Sequence, residues 1–146
     1  MPSLLGYNKK VHVMEFYEWA DALSVDNETI DRQHKILIGN IKSLAQALQQ
    51  KNSTSASIMV LLNNVSSCAR MHFSYEETLF EIDGYTESEA HKKSHEHLLS
   101  ELEKFRVRFQ MGDTSVTFEL LEFLMGWYSH ILESDAGYVE FLKTKV

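Results

Sequence analysis

Seven histidines stand in a chain of 146 residues: His12, His34, His72, His91, His95, His97 and His130. Two of their spacings suit metal binding. His72 and Glu76 are four residues apart, as are His91 and His95, so each pair projects from one helix face at neighbouring levels. His130 and Asp135 are five apart, about 140° around an ideal helix, and need a local bend or a carboxylate that reaches across. His34 supplies a fifth imidazole from further upstream. Imidazole suits Fe, Zn, Cu and Ni, and carboxylates can bridge two ions. A lone zinc needs only four ligands. Seven candidates, namely His34, His72, Glu76, His91, His95, His130 and Asp135, fit a dinuclear centre better.

Each signal has a plain alternative. A single His on an apolar face is more often a hydrogen-bonded core residue than a ligand. A lone His-x-x-x-Glu pair occurs on many solvated helices. Their conjunction on four apolar stripes is what points to metal, because burying such groups without partners costs several kcal/mol. His97 lies on a different face from His95 and reads as solvated, and His12 has no ligand-like context. Glu77 reads as surface. Cys68, one turn before His72, reads as a small core residue.

Helices must position these groups, and the apolar periodicity supplies four. Ile30, His34, Leu37, Ile41, Leu44 and Leu48 recur at three and four after the polar run Asp26-Asn27-Glu28. That helix ends near Gln50-Lys51-Asn52, and Ser53-Thr54-Ser55 can cap the next. The second stripe is Ile58, Leu61, Val65, Cys68, His72, Glu76 and Leu79, closed by the turn pair Asp83-Gly84. Thr86-Glu87-Ser88-Glu89 fits a capping box opening a third helix, with His91, His95, Leu98, Leu102, Phe105 and Phe109 on its stripe. Met111-Gly112-Asp113 breaks it. A fourth begins near Thr114 or Ser115 with Val116, Leu120, Phe123, Trp127 and His130, and Gly137 is a candidate interruption. Short polar connections favour antiparallel neighbours. The expected fold is all-α, an up-down-up-down antiparallel four-helix bundle spanning residues 15–146, with an N-terminal arm at residues 1–14. Phe16, Tyr17 and Trp19 are expected to fasten that arm.

One Pro and six Gly in the whole chain agree with long helices. A net charge of −7 argues against a nucleic-acid surface and an anionic membrane as partners. One Cys cannot form an internal disulfide. The N-terminus has no apolar leader and no stretch is long enough to span a bilayer, so a cytoplasmic protein, monomeric rather than oligomeric, is expected.

These residues resemble the hemerythrins. The resemblance rests on Ile30-Asp31-Arg32-Gln33-His34, His72-Phe73-Ser74-Tyr75-Glu76-Glu77, Gly84-Tyr85, His91-Lys92-Lys93-Ser94-His95 and His130-Ile131-Leu132-Glu133-Ser134-Asp135. The segment from Trp19 to Val25 is similar to the start of the bacterial single-domain members. The resemblance implies two Fe ions joined by an oxo or hydroxo group. It implies His91, His95 and His130 on one, His34 and His72 on the other, and Glu76 and Asp135 bridging both. The two-histidine iron then keeps an open position, where the resemblance implies reversible binding of O2. An apolar wall is expected there, drawn from Ile30, Ile38, Trp127 and Ile131. The implied role is an oxygen carrier, store or delivery protein, not an enzyme, with O2 and an oxygen-using enzyme as partners. Sensing of O2, redox state or NO, and a di-iron oxidase or peroxidase, are the alternatives. Oxidases of this kind carry Glu-x-x-His motifs, and this chain has none. Two positions depart from the family pattern. Thr86 stands where Pro is common, and Trp127 falls one place later than the family's Trp, where this chain has Gly126.

Overall fold

The computed structural model describes residues 24–144, with the side chains of Thr114 and residues 129–134 outside the description. The expected arm, with Phe16, Tyr17 and Trp19, lies outside the described residues.

Helix α1 spans Glu28–Gln49. It is started by Asn27, whose side chain accepts from the Ile30 amide at 3.0 Å. Asp31 anchors the entering chain, accepting from the Val25 amide at 2.9 Å and from Ser24 Oγ at 2.6 Å. Helix α2 spans Ser55–Asp83 and opens on a reciprocal cap between Thr54 and Ser57. It stops at Gly84, whose φ of 66° is the left-handed conformation that glycine adopts without a Cβ clash.

Helix α3 spans Ser88–Gln110. The capping box expected at Thr86 is not formed. The cap position is Glu87, and it makes no side-chain cap. The Ser88 amide instead bonds the Tyr85 carbonyl at 3.2 Å, so a tight turn has already engaged the first amide of the helix. After Gly112, with φ 83°, Asp113 accepts from the Ser115 amide and hydroxyl and opens a single 3-10 turn at Thr114–Val116. Helix α4 then runs unbroken over Thr117–Lys143. The interruption expected at Gly137 is absent. A Cβ there would sit 3.4 Å from Tyr85 Oη, so the glycine lets that ring lie close to α4.

Each helix packs beside two others, α1 against α2 and α4, and α3 against α2 and α4. With connections this short, neighbours run antiparallel, which is the up-down-up-down bundle. The stripes of α1 and α3 are buried as the spacing predicts. On α2 the expected Ile58, Val65, His72 and Glu76 are buried, but Leu62, Ala69 and Phe80 are buried in place of Leu61, Cys68 and Leu79, which are half-buried. The expected stripe took the position three residues after Ile58, Val65 and Glu76, whereas the buried side chain in each case is the one four residues on. Positions three and four on flank the same helix face, and here the second flank meets the core. On α4 likewise Leu124, four residues after Leu120, is buried, and Phe123, three after it, is half-buried.

Two apolar clusters result. The larger fills one half of the bundle and includes Leu37, Ile41, Leu62, Leu102, Leu120 and Trp127. The smaller is Ile30, Phe80, Tyr138 and Val139, with Tyr85 and Phe141 packed on it. Between them lies a polar layer.

Candidate metal centre

The layer is built from one or two side chains per helix. His34 comes from the second turn of α1, His72 and Glu76 from α2, His91 and His95 from the start of α3, and Asp135 from α4. All six are buried, and Glu76 is fully inaccessible. They gather into two groups able to hold an ion: Glu76, His91, His95 and Asp135 in one, His34, His72 and Asp135 in the other. Asp135 belongs to both. His130 lies on α4, but its side chain is outside the description, as is that of Ile131.

The facing atoms are close. Asp135 Oδ2 lies 2.6 Å from His34 Nε2 and 3.0 Å from His72 Nε2. Its other oxygen lies 3.1 Å from His91 Nε2. Glu76 Oε1 is 3.2 Å from His72 Nε2, 3.3 Å from His95 Nε2 and 3.9 Å from His91 Nε2. The Nε2 atoms of His34 and His72 are 3.2 Å apart. Two ligand atoms each about 2.1 Å from a shared ion, at right angles, lie roughly 3 Å apart. Most of these spacings fall near that value.

The outer nitrogens fix how the rings face inward. His72 Nδ1 donates to Gln33 Oε1 at 2.7 Å, and His95 Nδ1 donates to Glu77 Oε2 at 3.0 Å. A neutral imidazole has one N–H, so each Nε2 then presents a lone pair. Those lone pairs face Glu76 Oε1, which is itself an acceptor. Neither oxygen of Glu76 finds a hydrogen-bond donor among the described residues. With Glu76 ionised, acceptors would turn on acceptors inside the core, which is costly; a proton on Glu76 or a cation between them removes the cost. The donor set of imidazoles and carboxylates fits iron on the same ground.

The protonation states agree. Burial pushes His72 below the ordinary imidazole value, which keeps it neutral. Burial also pushes Asp135 upward, but hydrogen bonding, led by that with His34, outweighs it and holds this carboxyl well below the usual range. Glu76 moves the other way, well above the usual range, through burial and the negative charge of Asp135.

Ring packing holds the histidines in place. Phe73 stacks on His95 with centroids 3.8 Å apart and planes 8° apart, and Phe80 lies 4.7 Å from His91. Trp127, fully buried, lies 6.0 Å from Phe73.

The family model of the hemerythrin HHE cation binding domain matches residues 25–142. The chain belongs to the hemerythrin family. It is 40% identical to a bacteriohemerythrin of Pseudomonas aeruginosa (strain LESB58), over 84% of this chain and 78% of that protein. A bacteriohemerythrin of Stenotrophomonas maltophilia (strain R551-3) is 31% identical, over 89% of this chain and 84% of its own length. A hemerythrin-like protein of Naegleria gruberi is 28% identical over 84% of this chain and 90% of its own. A chain from crystal structures of a point mutant shares the fold at TM-score 0.70 and 24% identity, covering 84% of this chain and 93% of that one.

Against this hemerythrin site some expected residues fall elsewhere. Of the expected apolar wall, Ile38 and Trp127 lie in the larger cluster, on one side of the polar layer, and Ile30 lies in the smaller, on the other. His97 is exposed and His12 lies outside the described residues. Cys68 is half-buried, with Asn40 Nδ2 3.2 Å from its sulfur. Glu77, read as surface, is partly exposed, with its side chain 32% exposed, but its carboxylate accepts from His95 Nδ1. Gln33 and Glu77 were hidden because each neighbours a ligand in sequence and sits about 100° around the helix from it, off the core stripe. No described helix is long and apolar enough to cross a membrane.

Proposed function

We propose that this chain binds O2 reversibly at two non-haem irons, as a carrier, store or delivery protein rather than an enzyme. His34, His72 and Asp135 hold one ion. Glu76, His91, His95 and Asp135 hold the other, with His130 of α4 completing that set and Glu76 reaching towards both. The observation that carries this reading is the sharing of one buried carboxylate, Asp135, by two ligand groups of unequal make-up. When bound, the two ferrous ions supply one electron each, and the ion with two imidazoles supplies an open position for O2.

The residues of the chain do the rest. Gln33 and Glu77 keep the Nδ1 protons of His72 and His95 outside the centre, so that both Nε2 atoms remain ligands. Ile38 and Trp127 close the layer on one side, and Ile30 and Phe80 close it on the other. A dry surrounding disfavours loss of reduced oxygen as a charged species. Two carboxylates among many imidazoles give fewer anionic ligands than the Glu-rich oxidase sites, which favours reversible binding over oxygen activation.

The test is anaerobic reduction of the iron-loaded chain, titration with O2, and removal of O2, followed by visible absorption. The expected result is an absorption change that saturates and then reverses over repeated cycles. Irreversible oxidation in the first cycle, or no O2 uptake by fully loaded protein, contradicts it.

A further inference from the structure

Two ligand histidines are held from behind, and the two partners differ in charge. His95 Nδ1 donates to the carboxylate of Glu77, whereas His72 Nδ1 donates to the neutral amide of Gln33. Each partner is the immediate sequence neighbour of a ligand, Glu77 of Glu76 and Gln33 of His34. Each reaches across to the helix beside its own, Glu77 from α2 to α3 and Gln33 from α1 to α2. The geometry is close on both sides, at 3.0 Å and 2.7 Å, and both rings are almost wholly buried. His95 is clamped further by the parallel face of Phe73.

A carboxylate that accepts an imidazole N–H draws the proton outward and leaves more electron density on the inner nitrogen. A neutral amide does this much less. We propose that Glu77 and Gln33 are positioning residues that make the two halves of the centre electronically unequal, with Glu77 favouring the ferric state on the His91–His95 side and Gln33 sparing the His34–His72 side. This rests on the di-iron reading above and deepens it. The side with fewer imidazoles, where O2 is proposed to bind, is the one left harder to oxidise. That bias favours return to the ferrous state when O2 leaves.

The arrangement lends itself to exchange. Glu77→Gln keeps an acceptor oxygen and removes the charge, and Gln33→Glu adds a charge at the other position with the same side-chain length. The experiment uses the full iron-loaded chain and measures iron content, the midpoint potential and the Mössbauer spectrum of the half-oxidised protein. Glu77→Gln should raise the potential, by about tenfold in the reduction equilibrium constant or about 59 mV for one electron. Gln33→Glu should lower it by a similar factor. The double variant should return the potential towards the parent value, and the spectrum should show the ferric ion moved to the other ligand set. A merely structural pair of hydrogen bonds predicts lower stability and no opposed shifts. Normal iron content with potentials that move together, or do not move, overturns the proposal and leaves the di-iron reading standing. A parent chain that loads only one iron overturns that reading itself. Should Glu77→Gln fail to load iron, Gln33→Glu alone still decides, because an unchanged or raised potential in that variant contradicts the proposal.

Discussion

The two halves of the bundle bury similar helices in opposite ways. In the half holding Leu44, Leu62, Leu102 and Leu120, every buried stripe position is apolar, and burial itself stabilises the fold. In the other half, the same four stripes carry His34, His72, Glu76, His91, His95 and Asp135, all buried. There the fold tolerates what it would ordinarily reject, including the fully buried carboxyl of Glu76, which burial and Asp135 push towards its proton-bound form. One half is complete as a chain of amino acids. The other gathers groups able to hold cations, and on the proposed reading the difference separates what holds the molecule together from what it does.

The sharpest way to break this contrast is to cut each half separately. Leu102→Ala should cost about 2–5 kcal/mol, and the loss should be the same with and without metal. Trp127→Ala, at the boundary, should cost a similar amount, about 3–5 kcal/mol. It should also admit water to the layer and speed autoxidation roughly tenfold, equivalent to about 1.4 kcal/mol of barrier, while both irons stay in place. Denaturant melts of both forms, with the decay of the reduced oxygenated spectrum, check this. Autoxidation no faster than in the parent would remove Trp127 from the pocket wall.

Removing metal should affect the polar half alone. At a thousandfold excess over the dissociation constant a ligand adds about 4 kcal/mol, so the metal-free chain should melt roughly 10 °C lower. The gap should widen as pH rises. Glu76 is raised in the folded metal-free chain by burial and by Asp135. A raised acid stabilises the fold below its unfolded pKa, and that contribution is lost as pH climbs through the folded value. A bound cation takes the place of the proton, so the loaded chain escapes this loss. Melting curves of both forms at several pH values test the sign, and a gap that shrinks with pH contradicts it.

Much of this contrast was legible in the sequence, and the failures have physical causes. The α3 stripe from His91 to Phe109 was readable because every buried position is large or ionisable and sits on a single face. The α2 stripe was misplaced by one residue at Leu61, Cys68 and Leu79 because positions three and four along a helix flank the same face, and only the packing of neighbouring helices selects Leu62, Ala69 and Phe80 as the buried flank. Thr86 looked like a cap, but whether a cap forms depends on the turn before it, which Tyr85 closes. Gly137 looked like a break, but its role is set by Tyr85, distant in sequence. Glu77 was read as surface because a residue that supports a ligand from behind lies off the core face, and only the approach of α3 gives it a partner.

In the proposed centre Asp135 serves two ions at once. Metal content and Mössbauer spectra of the iron-loaded parent and of Asp135→Ala measure that directly. The parent should hold two irons per chain in two distinguishable environments, and Asp135→Ala should lose occupancy at both together. A parent that saturates at a single ion, or an Asp135→Ala chain that keeps one iron with its spectrum unchanged, would contradict the shared carboxylate at the centre of the site.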